Sequence, residues 1–130
     1  MGKDCLKKIL ICGAGRMGKV VEEEALRQGV KYRFLSEEML VTYGGSEKEI
    51  LGERFDGIID FSHPSFTKKL AYFAVKFALP LVVCTTGQSE EDVKILEQAA
   101  LKTPVALIAN AAEGMNFAYK IIEQTAARFA

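Results

Sequence analysis

The chain has 130 residues, 49% of them hydrophobic and 26% charged, the proportions of an ordinary globular domain with a real core. Lys plus Arg equals Asp plus Glu at 17 each, so the formal net charge is zero, which tells against a nucleic-acid partner held by bulk charge. No apolar run approaches the roughly 20 residues of a membrane span, and the first residues lack the apolar core and cleavage site of a signal peptide, so the expectation is a cytoplasmic protein with no membrane partner.

Lys8–Cys12 is a short apolar run and reads as a strand. It stops at Gly13, where Gly13-Ala14-Gly15-Arg16-Met17-Gly18 forms a G-x-G-x-x-G pattern. Met17–Gln28 then reads as a helix ending before Gly29, a natural C-cap. Alone, this pattern is a weak signal. It gains force when a strand precedes it, a helix follows and an acid lies about 20 residues on. Glu37 stands 19 residues after Gly18, just past a second predicted strand, Tyr32–Leu35, so all three conditions hold.

In such a cradle Gly13 allows the tight turn, Gly15 lets a pyrophosphate approach the backbone, and Gly18 lets the helix pack closely on the sheet. Free N–H groups and the positive helix end would hold the phosphates. The competing reading is a glycine-rich turn with no ligand. Glu37 can accept from both ribose hydroxyls, which favours NAD(H) as cofactor, and the acidic Glu38 beside it offers no counter-charge to a 2′-phosphate. NADP(H) is the alternative, with Arg16 as the residue to meet its phosphate.

Val41–Arg54, with its Gly-Gly turn, reads as a connection. Gly57–Phe61 is the third predicted strand, and Asp60-Phe61-Ser62-His63-Pro64 leads into a helix over Pro64–Phe77. There Phe66, Leu70, Phe73 and Phe77 form one apolar stripe, Pro64 suits the first turn, and Pro80 stops continuation. His63 is the sole histidine. With no partner identifiable, it reads as a polar turn residue rather than a proton donor. Leu81–Cys84 is the fourth strand and ends in Cys84-Thr85-Thr86-Gly87.

Ser89-Glu90-Glu91-Asp92 reads as a capped helix start with acids in the positive first turn, and Val93, Leu96 and Ala100 form its expected inner face. Val105–Ile108 is the last strand, and a final helix is expected from about Met115 onward. The cysteines Cys5, Cys12 and Cys84 make no C-x-x-C pair, and two of them close apolar runs, as buried reduced thiols do.

Strands alternating with helices predict an α/β fold, a Rossmann-like doubly wound parallel sheet forming a single domain over residues 1–130. Ligands in such sheets lie across the carboxyl ends of the strands, where both later turns carry small or hydroxyl residues.

Four motifs then make a specific resemblance: Gly-Arg-Met-Gly at 15–18, Ile-Asp-Phe-Ser-x-Pro at 59–64, Pro-Leu-Val-Val-x-Thr-Thr-Gly at 80–87, and Ala-Asn-x-x-x-Gly-Met-Asn at 109–116. In this order they resemble the N-terminal, nucleotide-binding domain of the dihydrodipicolinate reductase family of lysine and diaminopimelate biosynthesis. The resemblance implies that Gly13 to Met17 bind the pyrophosphate side and Glu37 the adenosine ribose. Phe61 and Ser62 would flank the nicotinamide ribose. The Cys84-Thr85-Thr86-Gly87 and Ala109-Asn110-Ala111 turns would position the nicotinamide. The chain departs from the family pattern at Cys84, where Gly or Ala is usual, and at Asn110-Ala111-Ala112, where Asn-Phe-Ser is usual.

The family's substrate domain, with its His-His-x-x-x-Lys motif, has no counterpart among these residues, so the expectation is half an enzyme. It would bind a nicotinamide dinucleotide but meet its small-molecule substrate only with a C-terminal domain, with self-association left open. Two alternatives stand beside it: a nucleotide-binding or redox-sensing module without catalysis, and another Rossmann oxidoreductase of amino-acid metabolism.

Overall fold

A computed structural model describes residues 8–35, 52–108 and 122–124 of the chain. In chain order these residues form β1 (Lys8–Cys12), α1 (Arg16–Gln28), β2 (Lys31–Leu35) and β3 (Gly57–Asp60). A 3-10 turn (Pro64–Phe66), α2 (Thr67–Lys76), β4 (Leu81–Val83), α3 (Glu90–Ala99) and β5 (Val105–Leu107) follow. The five strands make one sheet in the order β2-β1-β3-β4-β5, parallel at every pairing. This is a Rossmann-like α/β arrangement, as the alternation of strands and helices predicts.

The strands at the centre read as unbroken apolar runs because both of their faces are covered. On one face Leu10, Cys12, Ile58, Leu81 and Val83 pack with Leu70, Phe73, Ala74 and Leu96, residues of α2 and α3. On the other face Ile9, Ile11, Ile59, Val82 and Cys84 pack with Val21 and Ala25 of α1 and with Ile122. Ile122 lies in a helical turn at 122–124, and its side chain fills the space beside Gly57, where a Cβ would come within 2.7 Å of it. The remainder of the predicted final helix lies outside the described residues.

Strand order reverses between β1 and β3: the chain moves outward to β2, then returns to the other side of β1. That switch point opens a crevice at the carboxyl ends of β1 and β3.

Several boundaries differ from the sequence reading. Three strands stop one residue early, at Asp60, Val83 and Leu107 rather than at Phe61, Cys84 and Ile108. The hydrogen bonds continue one step further even so, with Phe61 N donating to Cys12 O at 2.8 Å, Cys84 N to Asp60 O and Ile108 N to Val83 O at 2.9 Å each. The helix expected over Pro64–Phe77 begins as the 3-10 turn, because the His63 ring caps Ser65 N there, and becomes α-helical only from Thr67. It ends at Lys76, one residue short of Phe77, and Ala78 then takes a left-handed φ of 52°, which lets Leu79 N reach Ala74 O at 2.8 Å. On α3 the buried small residue is Ala99, and Ala100 is exposed. Adjacent alanines give periodicity nothing to separate them.

Candidate functional site at the carboxyl edge of the sheet

The glycine loop leaves β1 at Gly13, whose φ is +105°. A Cβ there would sit 2.6 Å from the Phe61 carbonyl oxygen and 3.0 Å from Ser62 N, so the turn after β3 lies directly against it. Gly18, in the first turn of α1, is tighter still, since a Cβ would fall 1.8 Å from the Gly13 carbonyl oxygen. Glycine at these two positions is required by the protein's own packing.

Gly15 differs. It is the N-cap of α1 with φ −78°, a value open to any residue, and a Cβ there would meet nothing within 4 Å. Nothing in the fold asks for glycine at this point. A ligand that approaches the backbone does.

The end of α1 beside it is built unlike a helix end meant only for stability. No side chain caps it, its first turn holds no acid, and Arg16 adds a positive charge at the positive pole. By contrast, α3 has Ser89 as N-cap in a full capping box with Asp92, and Glu90, Glu91 and Asp92 in its first turn. The same chain knows how to cap a helix and leaves α1 open. Free N–H groups and positive charge at one spot fit an anion such as a pyrophosphate.

The turn after β3 is organised by Asp60, the last residue of that strand and fully buried. Its Oδ1 accepts from Ser62 N at 2.9 Å and from Ser62 Oγ at 2.5 Å. Its Oδ2 and the Thr85 hydroxyl are buried without a hydrogen bond of full geometry. Burial pushes the Asp60 carboxyl above its ordinary 3.8, against the opposing pull of Ser62, Thr85 and Cys12. His63, next along, spends Nδ1 on the Ser65 amide at 3.1 Å, and that ring nitrogen lies 3.0 Å from Ser65 Oγ. It caps the turn in which the sequence places it as a polar residue.

After β4, Thr85 is buried while Thr86 and Gly87 are exposed. Gln88 ties this turn down, donating to Thr85 O at 2.7 Å and to Thr67 Oγ1 at 3.4 Å. Cys84 is buried among the apolar residues of the α1 face, so it contributes backbone to the edge and not a thiol. Burial, reinforced by the charge of Asp60, pushes the Cys84 thiol up to about 12, and burial first and Asp60 second do the same to Cys12. Neither thiol suits a redox sensor, which needs an accessible thiolate.

Of the sixteen residues predicted for the site, Gly13, Ala14, Gly15, Arg16, Met17 and Gly18, with Phe61, Ser62, Cys84, Thr85, Thr86 and Gly87, all lie at the carboxyl ends of β1, β3 and β4. Glu37, Ala109, Asn110 and Ala111 lie outside the described residues. The sequence reading passed over Asp60 and Gln88. Asp60 had a signal, a carboxylate closing an otherwise apolar strand with serine two residues on, the spacing of an Asx-type turn.

The family model described as "Dihydrodipicolinate reductase, N-terminus" matches residues 7–111. The chain belongs to the dihydrodipicolinate reductase family. It is 35% identical to a 4-hydroxy-tetrahydrodipicolinate reductase of Zymomonas mobilis over 98% of this chain and 51% of the relative. A reductase of the same description from Buchnera aphidicola is 30% identical over 89% of the chain and 50% of the relative. One from Brachyspira hyodysenteriae is 29% identical over 92% and 47%. The chain therefore spans about half the length of these family members. No helix among the described residues is long and apolar enough to cross a membrane, and no cluster of metal-ligating side chains occurs among them.

Proposed function

We propose that these 130 residues form one dinucleotide-binding domain of a cytoplasmic reductase in lysine and diaminopimelate biosynthesis. The observation that carries the reading is the open space beside Gly15 at an uncapped, positively charged helix end. The N–H groups of Gly13 to Gly18 would hold the pyrophosphate, with Arg16 beside it, and Glu37 would take the adenosine ribose. Phe61 and Ser62 would flank the nicotinamide ribose. The turns at Thr85-Thr86 and at Ala109-Asn110-Ala111 would border the ring.

When bound, the nicotinamide supplies the hydride, which a cyclic imine-type substrate would accept. The chain's own groups bind and orient. Among the described residues the edge offers no proton donor beyond hydroxyls and the capping His63. Holding and protonating the substrate would fall to the half of the full-length family members that this chain does not match. A polypeptide of these 130 residues would then bind cofactor without turning over.

Glu37 and Glu38 favour NAD(H) over NADP(H), because a 2′-phosphate would meet their charge. Calorimetric titration with both cofactors tests this. NADH should bind at least as tightly as NADPH, and a preference for NADPH of about tenfold, or about 1.4 kcal/mol, would reverse the assignment. Binding of neither would overturn the dinucleotide reading. NADH oxidation by the same polypeptide above about 1 s⁻¹ with freshly generated substrate would overturn the division of labour.

A further inference from the structure

We propose that Asp60 is a positioning residue of this site: it fixes the Phe61–Ser62 turn and accepts the hydrogen bond of the Ser62 hydroxyl, so that Ser62 Oγ meets the ligand as an acceptor for a sugar hydroxyl. The inference rests on the nucleotide reading above and adds to it the residue that sets the polarity of the ribose end.

The backbone of Asp60 is held on both sides. Phe61 N donates to Cys12 O at 2.8 Å, and Asp60 O accepts from Cys84 N at 2.9 Å, so the carboxylate has a fixed origin between β1 and β4. From there Oδ1 accepts from the Ser62 amide at 2.9 Å and from the Ser62 hydroxyl at 2.5 Å. The same Oδ1 accepts from the Ser62 amide and so serves as an acceptor, which points the hydroxyl proton at Asp60 and leaves the Ser62 oxygen only lone pairs to offer. Ser62 itself is half-buried at the crevice. A group meeting it there has to donate, as a ribose hydroxyl does and a phosphate oxygen does not.

The turn that Asp60 sets is also the wall of the glycine loop. The Phe61 carbonyl and Ser62 amide occupy the space over Gly13, 2.6 Å and 3.0 Å from where its Cβ would be. The turn after β4 joins through the backbone, where Cys84 N donates to Asp60 O. One buried residue thus links the three turns that make the edge. Burying a carboxylate is costly, and it is retained where it holds something in place.

Titration of NADH and of ADP into the wild type, Asp60→Asn, Asp60→Ala and Ser62→Ala, with amide hydrogen exchange at Ser62, tests the proposal. ADP carries the pyrophosphate but no nicotinamide ribose. Asp60→Ala and Ser62→Ala should each weaken NADH by about tenfold, the scale of one lost hydrogen bond to a placed group, and leave ADP within about twofold. Asp60→Asn keeps an acceptor at Oδ1 and should stay within about threefold of wild type for NADH. Exchange at the Ser62 amide should speed up in Asp60→Ala and not in Asp60→Asn.

Equal losses for NADH and ADP would make Asp60 a general structural residue and overturn the proposal, as would unchanged Ser62 exchange in Asp60→Ala. If Asp60→Ala does not fold, Ser62→Ala decides: unchanged NADH affinity there overturns it. If the wild type binds neither NADH nor ADP, the dinucleotide reading fails and the ligand half of the proposal falls with it. The exchange data then report on the turn alone.

Discussion

A Cβ on Gly18 would lie 1.8 Å from the carbonyl oxygen of Gly13, closer than any two such atoms can come. The helix after the glycine loop therefore rests on the backbone of the loop's first residue, and that residue in turn abuts the Phe61 carbonyl. Two of the three motif glycines are packing residues. The third, Gly15, is free of that duty.

Gly18→Ala should destabilise the fold strongly. Alanine gains about 1 kcal/mol in helix propensity over glycine, but relieving the overlap by moving α1 off the sheet costs about 3 kcal/mol. The net loss of about 2 kcal/mol corresponds to a fall in Tm of roughly 5–10 °C. A thermal melt showing an unchanged or higher Tm would mean that α1 is not seated on Gly13.

Gly15→Val separates ligand from fold. With φ at −78° and nothing within 4 Å of the new Cβ, the backbone accepts a side chain without strain. Stability should fall by about 1 kcal/mol or less, the cost of exchanging glycine for valine at an N-cap. Dinucleotide binding should be lost, since the two methyls fill the space a pyrophosphate would use. Retained NADH affinity in the folded variant would reduce the loop to a turn.

Cys12 and Cys84 should resist alkylation in the native protein. With burial holding both thiols at about 12, the thiolate is only about one part in ten thousand at pH 8. Peptide mapping after iodoacetamide treatment should find both unmodified until urea unfolds the chain. Because the folded values lie above the unfolded one, the stability these thiols contribute is complete below about pH 9 and is lost as pH rises toward 12. Rapid native labelling of either would reopen a redox role.

Much of this was legible in the sequence because parallel strands covered on both faces must be apolar throughout. Ile9-Leu10-Ile11 and Leu81-Val82-Val83 leave few other readings once glycine and proline bound them. The capped helix start at Ser89 was equally plain, a hydroxyl followed by acids in the positive first turn, and the structure adds the reciprocal bond of Asp92 that completes a capping box. Strand ends were less so, because Phe61, Cys84 and Ile108 are apolar and continue the hydrogen bonding without continuing the ladder. The glycine motif gave the place of the site but not the division between packing glycines and the open one, which depends on what a Cβ would strike. Asp60 was hidden for a different reason. A polar residue at a strand end ordinarily marks the start of a solvated turn, whereas Asp60 lies between Cys12 of β1 and Val83 of β4 and is fully buried.

That burial makes a pH-dependent prediction for Asp60. Its folded carboxyl is raised above 3.8 chiefly by loss of water, with Ser62 the strongest opposing influence. A carboxyl raised in the folded state binds its proton more tightly there than in the unfolded chain. Its contribution to stability is therefore fully present below the unfolded value and is lost as pH climbs through the folded one. Asp60→Asn removes the titration while keeping an acceptor for the Ser62 amide. Wild type should lose stability relative to this variant as pH rises from about 4, because only the wild type must then hold a buried charge. Urea unfolding of both proteins across that range measures the difference directly. A difference that stays flat would mean that Ser62, Thr85 and Cys12 fully offset the burial. A difference that grows in the wild type's favour as pH rises would mean that the carboxylate is better solvated in the fold than in water, and the buried reading of Asp60 would be wrong.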